Sequence, residues 1–342
     1  MGIHEAVSVL AHNRDLSNDE ATAAMQDIVN GRASPGDVEQ FATALRATGE
    51  TADELTAMAQ VMRDVTVTVE ADGGVLDTAG TGGDGMKSLN ISTVAAIVAA
   101  AAGVRVAKQH EHAVSSRCGS TDLLEALGVA SDVPPDTAAR CLRETDLCFL
   151  SASRYHPAAF AHLVDESQAS DARALMRLLT LLANPARAQH QILGVADAHR
   201  VETVAEVLRR LGTTHSLVIR GDDGMDEITC QKTTTVREVV GSEIKTWSID
   251  PREFSIDLAP RHAILGGLPD ENALITRFLL KGKSSPYRDI VELNAGAALL
   301  AADRVTSLHE GVALARETIA SGAANRKLQQ VVEVSQARAA SV

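Results

Sequence analysis

The chain has 342 residues, 45% of them hydrophobic, which is enough to bury a substantial core in one large or two unequal domains. A formal charge of -13 repels phosphate backbones and anionic lipids, and only 2% aromatic residues leave few stacking surfaces, so we expect no nucleic-acid partner. No segment reaches the roughly 20 apolar residues of a membrane span, and the four cysteines lack paired CxxC spacing. These features predict a cytoplasmic protein with reduced thiols and no membrane contact.

The first third of the chain carries helix start signals at short intervals. Ser17 with Glu20 and Thr51 with Glu54 form capping boxes, and Ser34 precedes a proline at the first helical position. Apolar residues recur at helical spacing after each signal. Residues 3 to about 64 are therefore predicted to form a small helical unit.

From residue 74 the pattern alternates between short apolar strands and helices. Strands are predicted at 75–76, 104–107, 147–150, 192–195 and 217–219, and helices at 92–102, 121–127, 202–211, 271–280, 290–302 and 308–321. Strands that alternate with helices are typical of a largely parallel sheet covered by helices.

A glycine-rich segment, residues 77–85 with the sequence DTAGTGGDG, follows the first of these strands. After Asn90 it leads into an alanine-rich helix that opens with Ser92 and Thr93. Glycines let backbone N–H groups approach an anion, and the positive end of the helix dipole favours phosphate. Asp84 cannot bind phosphate and is assigned to ribose hydroxyls, a metal-bound water or the loop itself; a simple strand-to-helix turn is the alternative for the whole segment.

A second cluster runs from Lys108 through residues 115–121, SSRCGST, into the next helix. Lys108 supplies positive charge, and Ser116, Gly119 and Ser120 supply hydrogen-bond donors. Two phosphate-compatible helix starts indicate a ligand with phosphates at both ends, although a Ser/Gly loop is also a common helix cap.

Several carboxylates gather in residues 222–227, DDGMDE, just after an apolar strand. Magnesium prefers oxygen ligands and commonly binds one or two carboxylates together with substrate phosphate. A solvated turn is the alternative, but beside two phosphate cradles the sequence favours Mg²⁺ at Asp226 and Glu227.

Together these segments resemble the anthranilate phosphoribosyltransferase family, over residues 10 to about 335. The resemblance rests on their order and spacing and on further matching segments at 122–128, 154–157, 184–185 and 288–295. It implies an α/β fold with a small helical N-terminal domain, residues 1–66, joined by helices from about 165–187. A larger α/β domain, residues 74–338, would contain a central, mostly parallel sheet flanked by helices.

The resemblance also implies a function. Such a protein transfers the phosphoribosyl group of phosphoribosyl pyrophosphate (PRPP) to an aromatic amine, by default anthranilate, in tryptophan biosynthesis, with Mg²⁺ and usually as a homodimer. The residues that it assigns to the two substrates are Gly80, Gly82, Gly83, Asp84, Ser88, Asn90, Ser92, Thr93, Lys108, Ser116, Gly119, Ser120, His156 and Arg173. Ser92, Asp226 and Glu227 would hold magnesium, and no covalent nucleophile is required.

The chain departs from the family pattern where the acceptor would bind. The family's Lys-His-Gly-Asn-Arg is replaced by residues 108–112, KQHEH, and its Gly-Pro before Asn184 by residues 180–181, TL. Paired arginines are replaced by residues 165–170, DESQAS, so that Arg173 is the first retained arginine. His156 is assigned to orient the acceptor, and Arg173 or Arg177 to anchor its carboxylate; for each residue, a place on a helix surface or in loop packing is the alternative.

Three alternatives stay open at this point. The same chemistry could act on a different aromatic or heterocyclic amine. The chain could be a pyrimidine nucleoside phosphorylase-like enzyme, although the adjacent acidic pair disfavours it. It could also be a noncatalytic nucleic-acid-binding paralogue, which the acidic composition disfavours.

Overall fold

In the computed structural model, residues 2–112, 117–161 and 170–337 are described. The strands are β1 Leu76–Gly80, β2 Val106–His110, β3 Leu147–Ser151, β4 His190–Gly194, β5 His215–Gly221, β6 Thr234–Val240 and β7 Glu243–Ile249. The α-helices are α1 Ile3–Ala11, α2 Asn18–Val29, α3 Pro35–Thr48, α4 Ala52–Val65, α5 Ile91–Ala101, α6 Ser120–Leu127, α7 Pro135–Thr145, α8 Ala152–Tyr155, α9 Pro157–Phe160, α10 Asp171–Leu181, α11 Val201–Arg210, α12 Pro269–Leu280, α13 Pro286–Ala301, α14 Leu308–Ala320 and α15 Ala323–Gln336. Short 3₁₀ turns span Ala198–Arg200, Pro251–Phe254 and Arg261–Ile264.

The helices of the first third begin where the sequence predicts. Ser17, Ser34 and Thr51 accept hydrogen bonds from the backbone N–H three residues later, and the acidic residue at that position bonds back in each case. These reciprocal bonds satisfy backbone donors that a helix start leaves without partners. The capping boxes predicted at Ser17 and Thr51 are confirmed, and Ser34 forms a further one with Asp37.

The seven strands form one sheet in the order β3-β2-β1-β4-β5-β6-β7. The first five strands in this order run parallel, while β6 and β7 continue the sheet as antiparallel strands. The predicted α/β fold with a mostly parallel central sheet is confirmed. The β6–β7 hairpin and helices α7 and α15 are not among the predicted elements.

Alternate residues of the strands face two different cores. Leu76, Ile192 and Leu217 pack on one face with α5 and α13, whereas Leu193 and Val218 pack on the other face. That second core also contains the apolar residues of α1 to α4, α10 and α11. The four N-terminal helices therefore pack against one face of the sheet by way of α10 and α11.

None of the helices within the described residues is both long enough and apolar enough to span a lipid bilayer.

A buried carboxylate joins two helices of the larger core. Glu292 of α13 is 2% exposed and accepts hydrogen bonds from Nε of Arg288 at 2.6 Å and from Nε of Arg316 of α14 at 2.8 Å. Bonds of this length between charged groups are the strong class of protein hydrogen bonds. Glu292 therefore links α13 to α14 by charge as well as by apolar packing.

Glu292→Gln should lower the free energy of unfolding by roughly 2–4 kcal/mol, because it leaves two guanidinium groups without their shared carboxylate. Urea unfolding followed by circular dichroism measures the change. Glu243→Gln is the control, since the Lys245–Glu243 pair is 62% and 70% exposed and should contribute less than about 1 kcal/mol. Equal effects of the two substitutions would contradict the role of Glu292.

Candidate active site

The candidate site lies where the order of the strands reverses. The chain moves outward from β1 to β2 and β3 and then returns to place β4 on the other side of β1. Crevices at the carboxyl ends of strands beside such a reversal are the usual ligand sites of open α/β sheets. Gly80 and Gly194 pair at this edge and mark the floor of the crevice.

The glycine-rich loop leaves β1 at this edge. Gly82 and Gly83 have φ values of 69° and 80°, a left-handed conformation that glycine adopts without the strain of a side chain. Asp84 Oδ1 accepts a hydrogen bond from the backbone N–H of Met86 at 2.9 Å. The left-handed glycines and the hydrogen bond from Met86 to Asp84 therefore fix the conformation of the loop.

The acidic segment after β5 packs directly onto the glycines of the crevice. A Cβ atom added to Gly194 would overlap the carbonyl of Asp226, and one added to Gly80 would overlap its carboxylate. The N–H of Gly82 donates to Oδ2 of Asp226 at 2.6 Å. Absence of side chains at both glycines is thus what allows Asp226 to reach the loop.

Helix α5 presents its first turn to the same crevice. The backbone N–H of Ser92 donates to Oε1 of Glu227 at 3.1 Å, and the amide of Asn90 donates to the carbonyl of Cys118 at 3.1 Å. Thr93 is 1% exposed, and its hydroxyl oxygen is buried without a hydrogen-bond partner. A buried polar atom without a partner is unfavourable, so this helix start has capacity for an additional ligand.

Lys108 brings a buried amine to the crevice from β2. Its Nζ donates to the carbonyl of Thr78. Burial lowers the pKa of Lys108, and the negative charges of Asp77 and Glu227 oppose that shift. Asp77 in turn accepts a hydrogen bond from Nδ2 of Asn184 at 2.8 Å, which explains the Asn-Pro segment as a support beneath the site.

Burial also changes the acidity of the carboxyl pair. It raises the pKa of Asp226 to about 7, with a further contribution from the nearby charge of Asp84. It raises the pKa of Glu227 to about 8, with a further contribution from the charge of Asp226. Carboxylates crowded in this way favour a bound proton or cation.

Helix α13 fixes the backbone beside Asp226 and Glu227. Asn294 of α13 accepts a hydrogen bond from the N–H of Ile228 at 3.0 Å and donates to the carbonyl of Ile228 at 2.8 Å. This asparagine belongs to the C-terminal segment 288–295 that matches the family pattern. It holds the residue next to Glu227 without lining the site.

One cavity of about 170 Å³ brings most of the predicted residues together. The predicted residues that line it are Gly80, Gly82, Gly83, Asp84, Ser88, Asn90, Ser92, Thr93, Lys108, Gly119, Ser120, Asp226 and Glu227. Residues from both loops and from the acidic pair therefore face a common space. Their individual roles in binding stay predictions.

Two predicted residues lie elsewhere, and a third cannot be placed. His156 does not line the cavity: it is fully buried, with Nε2 2.8 Å from Oε1 of Gln109 and Nδ1 3.1 Å from Oγ1 of Thr66. Burial lowers the pKa of His156 to about 3, so its ring is neutral. Arg173 lines a smaller neighbouring cavity of about 40 Å³. Ser116 and residues 162–169 lie outside the described residues.

Several residues that line the main cavity are absent from the predicted set. They include Gln109, His110 and Glu111, which directly follow Lys108, and Arg177, which lies one turn after Arg173 on α10. The strand position of Lys108 was the available signal, because residues at and just beyond the carboxyl end of a parallel strand face the crevice. The sequence predicts Arg177 only as an alternative to Arg173 for anchoring the acceptor carboxylate.

Comparison with known proteins matches nearly the whole chain to one family. A model of a glycosyl transferase family a/b domain matches residues 72–325, and a model of that family's helical bundle domain matches residues 5–66. Anthranilate phosphoribosyltransferase of Herpetosiphon aurantiacus is 42% identical over 337 residues, covering 98% of this chain and 99% of the relative. The relative of the same name from Symbiobacterium thermophilum is 44% identical, covering 95% of each chain.

Solved structures are similar as well. The crystal structure of anthranilate phosphoribosyltransferase from Thermus thermophilus superposes with a TM-score of 0.89 at 39% identity, covering 97% of this chain and 99% of that one. The Saccharomyces cerevisiae enzyme of the same name, in complex with PRPP and Mg, has the same fold at 24% identity, with a TM-score of 0.86 and 97% of each chain covered.

Without divalent cations, the free energy of unfolding should fall as the pH rises from about 6.5 to about 8. Over this range the native protein still holds protons on Asp226 and Glu227 that the unfolded chain has already lost, because carboxyl pKa values in the unfolded chain lie near 4. Stability is therefore highest when both groups are protonated. Urea unfolding in the presence of a chelator, at several pH values, measures the slope.

The double variant Asp226→Asn, Glu227→Gln is the control, because neither amide titrates. Its stability should vary less with pH over the same range. The buried imidazoles of His110 and His156, whose pKa values are lowered to about 3, are neutral in the native protein but about half protonated in the unfolded chain at pH 6.5, so they oppose the slope at the lower end of the range and contribute little by about pH 8. A double variant with the wild-type slope would contradict the assignment.

Proposed function

The chain belongs to the glycosyl transferase family that includes the anthranilate phosphoribosyltransferases, and from this membership we propose that it transfers the phosphoribosyl group of PRPP to anthranilate. Pyrophosphate is the second product, and the step serves tryptophan biosynthesis. One observation carries the proposal: two phosphate-compatible helix starts, a lysine and an acidic pair line a single cavity at the strand-order reversal.

The donor would be held from both sides of this cavity. The N–H of Gly83 in the left-handed loop and the hydroxyl of Thr93 would supply donors near the acidic pair, whereas the N–H of Gly82 already donates to Asp226. Across the cavity α6 begins at Gly119 and Ser120, which places the positive end of its dipole there, and Lys108 supplies positive charge. Two such anchors suit a ribose with a phosphate group at each end.

The residues present fit magnesium. Asp226, Glu227 and Asp84 offer oxygen ligands, and burial together with the neighbouring negative charge raises the pKa values of the first two, so that a cation beside them would be favourable. Within the described residues, no group of three or more acidic, histidine or cysteine side chains is arranged to hold a metal by itself. Substrate phosphates and water would therefore complete the coordination shell.

Asp226 and Glu227, with Ser92 beside them, would hold the ion, and Mg²⁺ would supply positive charge to the departing pyrophosphate. The chain itself contributes position and charge. The glycine loop and the start of α5 orient the donor so that ribose C1 faces the acceptor. A bond then forms between the acceptor nitrogen and C1 while the bond from C1 to pyrophosphate breaks, and the nitrogen releases a proton.

The proposal includes assembly and location. We expect a homodimer acting in the cytoplasm, as the resemblance to the family implies. Light scattering coupled to gel filtration would measure the mass in solution, where a value near twice the 36.0 kDa of the chain supports the dimer.

Asp226→Asn should lower kcat/KM for PRPP at least about 100-fold, because the variant loses one of two carboxylates proposed to bind magnesium. Pyrophosphate release from PRPP and anthranilate, measured over a range of Mg²⁺ concentrations, gives the comparison.

Asp222→Asn is the matched control from the same turn. Asp222 is exposed, accepts a hydrogen bond from the hydroxyl of Thr235 at 3.2 Å and does not line the cavity. This variant should keep wild-type activity. A fully active Asp226→Asn enzyme would remove the metal role, and a wild-type protein that releases no pyrophosphate with anthranilate would overturn the proposed function.

A further inference from the structure

Glu111 lies between two arginine side chains at the boundary of two cavities. Its Oε2 is 3.5 Å from Nη1 of Arg177 and 3.7 Å from Nη2 of Arg173. Arg177 lines the main cavity, Arg173 lines the smaller one, and Glu111 lines both. A carboxylate of the chain itself thus occupies the position between the two guanidinium groups.

The pairing in this cluster is loose and incomplete. Distances of 3.5 and 3.7 Å exceed the roughly 2.7–2.9 Å of a strong hydrogen bond between charged groups. Nη1 of Arg173 and Nε of Arg177 are buried and have no hydrogen-bond partner among the described residues. Since two guanidinium groups face one carboxylate, the cluster retains one formal positive charge and donors for a further acceptor group.

The backbone around this cluster is firmly held. The N–H of Glu111 donates to Oγ of Ser120 at 3.1 Å, and its carbonyl accepts from the N–H of Thr121 at 3.0 Å. Arg177 donates from Nη2 to the carbonyl of Gly80 at 3.2 Å, which ties it to the glycine loop. Displacing the Glu111 carboxylate therefore requires only side-chain rotation.

We propose that Glu111 is a specificity-determining residue that stands in for the carboxylate of the acceptor. The inference rests on the proposed function, because it concerns the second substrate of that transfer. A carboxylated aromatic amine is drawn to the two guanidinium groups but has to displace the Glu111 carboxylate from between them. A neutral aromatic amine does not compete with Glu111. Glu111 thus lowers the preference of the site for carboxylated acceptors over neutral ones.

Glu111→Gln tests this inference because it removes the competing charge while keeping the size of the side chain. The KM for anthranilate should fall about tenfold, a gain typical of relieving like-charge repulsion at a partly desolvated site. The inhibition constant of aniline, which lacks the carboxylate, should change less than about twofold. A residue that only supported the fold would not improve binding of one charge class of acceptor.

Glu125→Gln is the matched control. Glu125 accepts a hydrogen bond from Oγ of Ser131 at 2.7 Å and lines an outer groove rather than either of the two cavities. Its substitution should leave both constants at their wild-type values. If Glu111→Gln does not fold, as judged by circular dichroism, Glu111→Ala removes the same charge and should give the same direction of change.

Calorimetric titration of anthranilate into each protein gives a readout that does not need turnover. Tighter binding to the Glu111 variant than to the wild type supports the inference, and equal or weaker binding overturns it. A wild type that binds anthranilate but releases no pyrophosphate would instead count against the proposed function. The two failures are therefore distinguishable.

Discussion

The architecture of the site depends on the close approach of Asp226 to the glycines at the carboxyl ends of β1 and β4. Neither Gly80 nor Gly194 could carry a side chain without overlapping Asp226. This approach lets Oδ2 of Asp226 accept the N–H of Gly82 and brings the acidic pair beside the first turn of α5, where Glu227 accepts from Ser92. Donor groups and carboxylates share one crevice because the ends of β1 and β4 are glycines, which have no side chains.

The crevice concentrates charge that the fold does not neutralise. Asp226 and Glu227 have raised pKa values, Lys108 is buried beside Asp77, and the hydroxyl of Thr93 has no partner. Each of these conditions is unfavourable in the protein alone and would become favourable with the phosphates and divalent cation of the proposed function. The same logic extends to the arginine cluster, where guanidinium nitrogens without partners flank Glu111. The same features therefore lower the stability of the unliganded chain and favour ligand binding.

The tests of the sequence predictions had different outcomes for physical reasons. The capping boxes predicted at Ser17 and Thr51 depend on contacts three residues apart, so sequence spacing is sufficient to find them. The sequence does not predict the β6–β7 hairpin because its strands lack the continuous apolar runs of the parallel strands, and most residues of β7 are at least partly exposed at the sheet edge. His156 was assigned to the acceptor, yet its ring is buried between Thr66 and Gln109, and nothing in its sequence neighbourhood shows that burial.

The sequence by itself therefore predicted the local motifs that the proposed function assigns to donor binding: glycine loops after strands, helix starts rich in hydroxyls and an acidic pair. Each of these motifs depends on neighbours in the chain. The tertiary structure decided which charges meet across elements. Glu111 follows β2, whereas Arg173 and Arg177 lie on α10, more than 60 residues later, and only packing of that helix over the crevice brings them together. Electrostatic partners depend on distance in space, which residue order does not encode.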